Sequence, residues 1–214
     1  MQRHKTGRQS MRGRRPRRRP GRGWTGLYLA IGLAVLPRIA AAQNVTNSEI
    51  KLGVLAHDVH FLGGKEGGAD INPEVILQSP ISDAMVAGIP GYLRWALQPR
   101  LHGGVEANTS GYTDQYYFGL TWTWQLASNL LKPDDGIIFG YSFGPGFNDG
   151  EIRATQPDRK SLGGHVLFRE SFELGYQITP IYQVSSYIDH ISNGGFDRYN
   201  QSINDIGVRF GVRF

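Results

Sequence analysis

From Glu49 onward, apolar and polar side chains change places at every second residue, and no apolar run exceeds a few residues. Successive side chains of a strand point to opposite faces, so this rhythm specifies strands with one apolar and one polar side. In Glu49–Val59, Ile50, Leu52, Val54 and Ala56 oppose Lys51, Gly53 and His57. In Ile71–Pro80, Val75 and Leu77 oppose Glu74, Ile76 and Gln78. Leu93, Trp95, Leu97, Pro99, Leu101, Gly103 and Val105 alternate with Arg94, Ala96, Gln98, Arg100 and His102, which predicts a third strand bulged or bent at Pro99. Gln115–Leu126 sets Phe118, Leu120, Trp122, Trp124 and Leu126 against Tyr117, Gly119, Thr121, Thr123 and Gln125. Further strands are expected over Ile137–Gly144, over Gly164–Ile178 and from Tyr182. The last strand ends at Phe214, with Arg209 and Arg213 opposite Ile206, Val208, Phe210, Val212 and Phe214.

That makes eight strands, an even number, which lets first and last meet as antiparallel neighbours. Tryptophans and other large apolar groups on one face, with small and polar groups on the other, suit lipid outside and a packed polar interior. The expected fold is therefore all-β, an eight-stranded antiparallel transmembrane β-barrel. A soluble sandwich would bury the same apolar face, but seldom combines it with a secretion leader and no disulfide.

The first 42 residues differ from the rest. They hold eleven of the 23 Lys and Arg and none of the 18 Asp and Glu, so without them the charge turns from +5 to −6. A nucleic-acid partner read from the overall basic balance would be an artefact of this segment. A basic run to Arg22, an apolar run from Trp24 to Leu36 and Ala40-Ala41-Ala42 have the order of a secretory signal. Residues 1–42 are expected to be a signal peptide with a long basic n-region, starting at Met1 or Met11, and residues 43–214 the barrel. There is no cysteine, so the exported chain needs no oxidative folding.

Chemistry concentrates in His190-Ile191-Ser192-Asn193-Gly194-Gly195. In a strand His190 and Ser192 project from one face, and an imidazole beside a hydroxyl can generate an alkoxide nucleophile. Asn193 and the amides of the two glycines are donors of the kind that hold an oxyanion. By parity, His190, Ser192 and Asn204 fall on the apolar, lipid-facing side, where an unsatisfied polar group costs several kcal/mol. Structure alone gives such groups no purpose there. His57, His60, His102 and His165 show no ligand spacing, the acidic residues form no calcium-loop pattern, and Asp134-Asp135-Gly136 reads as a tight turn. No metal or cofactor is expected.

The stretch from Tyr187 through His190, Ser192, Asn193, Gly195 and Asn200 to Phe214 resembles the outer-membrane lipid A 3-O-deacylase family, acyloxyacyl-hydrolase-like barrels that cleave the 3-linked acyl ester of lipid A. The resemblance implies an esterase in which His190 is general base and Ser192 nucleophile. It makes Asn193 and Gly195 the oxyanion donors. The family's acid position is occupied by Asn204, and an amide can orient an imidazole without stabilising its charge. Asp205 is adjacent but falls on the other face of the strand. Glu170 is an alternative acid: if Ile178 pairs with Tyr182, it faces His190 across the strands. The implied partners are lipid A or lipopolysaccharide as substrate, outer-membrane lipid, and the barrel assembly machinery that reads a terminal aromatic; a homodimer stays open. The competing reading is a catalytically degenerate barrel with a structural or surface-interaction role.

Overall fold

Strict alternation becomes strand everywhere except in the first part of the expected third strand. The computed structural model describes residues 43–44, 47–59 and 64–214. The expectations for the leader, residues 1–42, and for His60 lie outside the described residues. The elements are β1 (Gln43–Asn44), β2 (Glu49–Ala56), β3 (Ala69–Leu77), α1 (Gly91–Leu97), β4 (Arg100–Asn108), β5 (Gln115–Ser128), β6 (Gly136–Asn148), β7 (Val166–Gln177), β8 (Tyr182–Ser192) and β9 (Ile203–Arg213).

Strands β2 to β9 pair antiparallel with their sequence neighbours, and β2 pairs with β9 from Glu49↔Arg213 to Ala56↔Ile206, closing an eight-stranded barrel. Closure satisfies strand backbone groups without leaving an edge to lipid. Short β1 adds to β5 at Gln43↔Gln125, beyond the end of the β4–β5 pairing at Arg100↔Thr121.

The expected third strand over Leu93–Val105 is corrected. Its first part is the helix α1, which follows Pro90, and the strand begins only at Arg100. The alternation misled because Leu93 and Leu97 also fit helical spacing, and Pro99 blocks helical continuation at the residue before it. Trp95 of α1 packs edge-on against Trp124 of β5, with ring centroids 5.5 Å apart. Trp124, expected to face lipid, is consequently buried on the outer wall.

Elsewhere the two faces separate cleanly. Ile50, Leu52, Val54, Phe118, Phe172, Val184, Ile188, Val208 and Phe210 are exposed on the outside. The interior is filled by ion pairs. Lys51 bonds Glu173 at 2.6 Å, Arg100 bonds Glu49 at 2.8 Å and Arg209 bonds Glu74 at 2.5 Å. Desolvating such charges is expensive, and removing one partner alone typically costs about 3–5 kcal/mol. At the barrel end away from the termini this interior is capped by an apolar plug of Leu162, Leu167, Ile191 and Ile203.

The β7–β8 connection decides what lies beside His190. Ile178 donates to the carbonyl of Tyr182 at 2.8 Å, and Thr179 Oγ1 accepts from the amides of Ile181 and Tyr182. This turn sets the register Gln177↔Gln183 and carries it to Glu170↔His190 and Phe168↔Ser192.

Candidate active site

At the end of the barrel opposite the termini, the outward-facing positions of β7, β8 and β9 stop being uniformly apolar. One row runs Phe143, Glu170, His190, Asn204 across four adjacent strands. The row nearer the termini is Tyr141, Phe172, Ile188 and Ile206, so the polar groups begin one row beyond a row of aromatic and aliphatic side chains. Because side chains repeat every second residue, Ser192 rises directly above His190.

These groups are chained by hydrogen bonds. Nδ1 of His190 lies 2.7 Å from Asn204 Oδ1, and Nε2 lies 2.9 Å from Ser192 Oγ. A carbonyl oxygen can only accept, so it fixes the proton on Nδ1. Nε2 is thereby left with its lone pair toward the Ser192 hydroxyl, able to accept its proton. All three side chains are half-buried and on the outer surface. Both ring nitrogens are engaged, and Glu170, although directly opposite His190, makes no hydrogen bond to it among the described residues. Asp205 points inward and is fully buried, as its parity required.

The loop after Ser192 is held by Asn193. Its backbone amide donates to Asn200 Oδ1 at 3.0 Å, and its side-chain Nδ2 donates to the carbonyls of Leu162 (3.1 Å) and Tyr199 (2.6 Å). Asn193 Oδ1 accepts the Gly195 amide at 2.8 Å. The donors expected at Asn193 and Gly195 are thus committed inside the loop as folded. Gly194 and Gly195 have φ of 66° and 86°, which side chains with a Cβ rarely adopt, so glycine is needed for this turn.

Beside Ser192 lies a cavity of about 530 Å³ bounded by Phe143, Pro145, Val166, Phe168, Asn193 and Phe196 among others. The sequence reading missed this groove. Phe168 alternates like any other apolar residue of its strand, and nothing local marks Phe196, which comes from the following loop. An open apolar trough next to the Ser192 hydroxyl has the lining an acyl chain requires.

The other described histidines, His57, His102 and His165, are bonded to groups of neighbouring elements. The His57 ring, in the turn after β2, sits 2.8 Å from Asp70 and 3.3 Å from Glu66 and Asp205. Burial disfavours its charged form, but the bonds to Asp70 and Glu66 and the Asp205 charge outweigh this and push it up to about 10. His102 meets Glu74 at 3.4 Å, and His165 meets the Asn148 carbonyl.

With the geometry in hand, comparison with known proteins is specific. The lipid A 3-O-deacylase (PagL) family matches residues 91–213, more than half of the chain. Among solved structures, the outer membrane enzyme PagL aligns with a TM-score of 0.52 at 12% identity, covering 78% of this chain and 99% of that one. Neisserial surface protein A (NspA) aligns with a TM-score of 0.44 at 10% identity, covering 78% and 97%. No curated protein sequence gives a significant match. Identity this low speaks for the fold alone, whereas the family match spans the helix and every strand that carries the candidate site. This outer-membrane β-barrel belongs to the lipid A 3-O-deacylase family.

Proposed function

We propose that the barrel hydrolyses the 3-O-linked acyl ester of lipid A by a serine mechanism and releases a fatty acid. The observation that carries this reading is the Ser192–His190–Asn204 hydrogen-bond chain on the lipid-facing surface, beside an apolar groove. A substrate already in the leaflet reaches such a site laterally, with its acyl chain along Phe143, Phe168 and Phe196.

In the first step Ser192 Oγ attacks the ester carbonyl carbon while its proton passes to His190 Nε2. Asn204 Oδ1 holds the Nδ1 proton throughout. The negative charge that collects on the carbonyl oxygen falls to the Gly194–Gly195 turn, where the Gly195 amide exchanges its Asn193 acceptor for the oxyanion. The intermediate collapses as the C–O bond to the sugar breaks, and His190 returns its proton to the departing hydroxyl. Water, deprotonated by the same Nε2, then attacks the acyl carbon; the C–Oγ bond breaks, His190 returns the proton to Ser192 Oγ, and the fatty acid leaves. Only base, nucleophile and oxyanion donors take part.

The test uses purified protein refolded in detergent with lipid A as substrate. Ser192→Ala and His190→Ala are expected to lower fatty-acid release by about 10⁴-fold or more while the barrel still assembles. Wild-type turnover in either variant overturns the serine mechanism and returns the chain to a structural role.

A further inference from the structure

Behind the catalytic row, on the inner face of the same strands, lies a cluster that the esterase reading does not use. Asp189 and Asp205 pair with each other on β8 and β9, one residue away from the paired His190 and Asn204. Across the lumen Glu106 and Gln115 form another direct pair, on β4 and β5. All four side chains are essentially inaccessible to solvent, at 0–2% exposure. One oxygen each from Glu106, Asp189 and Asp205 lies within 4.8 Å of the others.

Charge does not balance there. Arg169 holds Glu106 Oε1 at 2.7 Å and Asp189 Oδ2 at 2.8 Å. His57 is shared among Asp205, Asp70 and Glu66. Five buried carboxylates therefore draw on one guanidinium and one imidazolium, and buried charge without compensation is costly. Two atoms sharpen the point. Glu106 Oε2 and Gln115 Oε1 are both buried and lack a hydrogen-bond partner among the described residues. Gln115 is anchored into the cluster by its other amide atom, Nε2, which donates to Asp205 Oδ2 at 2.7 Å. A buried acceptor without a donor is rare and calls for an occupant.

We propose that Glu106, Asp189, Asp205 and the Gln115 carbonyl bind a hard divalent cation, Ca²⁺ or Mg²⁺, inside the barrel directly behind the catalytic row. The donor set is oxygen alone, which suits these ions and not zinc or copper. Ligand bonds of about 2.3–2.6 Å place opposing oxygens roughly 5 Å apart, so carboxylate oxygens that all lie within 4.8 Å of one another can share one ion. Arg169 engages Glu106 through Oε1 and not through Oε2. Bound there, the ion ties β4 and β5 to β8 and β9 at the rung adjoining His190 and Asn204. It positions the catalytic pair without touching substrate.

The experiment takes the full barrel, refolded in detergent without lipopolysaccharide and stripped with chelator. Ca²⁺ titration by calorimetry, and Tb³⁺ luminescence sensitised by the neighbouring Tyr117 and Tyr187, should each give one saturable site per chain. Glu106→Gln should weaken that site about tenfold or more. Leu52→Ala, on the outer face and away from the cluster, serves as a comparison for folding and should bind like wild type. Absence of a saturable site in the folded wild-type barrel overturns the proposal, and the carboxylates would then be neutralised by protons. Unchanged affinity in Glu106→Gln would also overturn it.

Discussion

Replacing Asn204 by Asp would put a carboxylate where an amide oxygen now bonds the His190 imidazole. The substitution is isosteric, so a carboxylate oxygen inherits the 2.7 Å contact to His190 Nδ1 and keeps the ring in the same tautomer. What changes is charge. An imidazolium and a carboxylate with charge centres roughly 4 Å apart attract by about 4 kcal/mol at an effective dielectric of 20. Part of that is offset by holding the carboxylate at a lipid-facing position before the imidazolium forms. A remaining advantage of about 1.4–2.8 kcal/mol raises kcat/KM about ten- to a hundredfold. The assay is fatty-acid release from lipid A in mixed micelles at pH 8, with Asn204→Leu as the opposite control. Asn204→Leu removes the acceptor that fixes the tautomer and is expected to lose activity. If both variants fold and match wild type, residue 204 does not orient His190 and the hydrogen-bond chain is incidental.

Two further outcomes follow from the same geometry. Glu170→Gln is expected to keep turnover within about threefold, under 1 kcal/mol, because Asn204 and Ser192 already occupy both ring nitrogens; a loss of tenfold or more in the same assay would make Glu170 the working acid. Glu66 should make the loop cover of the barrel acid-sensitive. Burial opposes ionisation of its carboxyl, but bonds from His57, Thr113 and Lys160 hold it down at about 2, below the ordinary 4.5. A depressed carboxyl contributes stability that is present above about pH 4.5 and lost as pH falls through about 2. Protease sensitivity of the loops around Glu66 and Lys160 should rise across that window in wild type and much less in Glu66→Gln. Equal acid sensitivity in both would show that other groups control the cover.

Much of this architecture was legible because a barrel wall obeys a period of two from end to end. The turn at Thr179 could be read for register, and Glu170↔His190 is the pairing that register requires. The parity of Asn204 and Asp205, one outward and one buried, followed from the same rule. The reading failed where the period was a coincidence. Leu93, Trp95 and Leu97 alternate on paper, but prolines on either side leave room for a helix of seven residues. Contacts that cross the lumen were beyond reach for a different reason. His57 and Asp205 are 148 positions apart and meet only because β2 closes on β9, and Gln115 meets Asp205 only across the interior. The commitment of Asn193 to Leu162 and Tyr199 depends likewise on how two loops fold together.

The most direct measurement is mass spectrometry of lipid A from cells carrying the wild-type gene, the Ser192→Ala gene or neither. The account predicts that wild type alone yields lipid A lighter by one 3-O-linked acyl chain, with that chain recovered as free fatty acid. Both barrels should be present in the outer membrane at equal level. Unaltered lipid A in cells whose outer membrane contains the folded wild-type barrel would contradict it, as would the same deacylated species from Ser192→Ala.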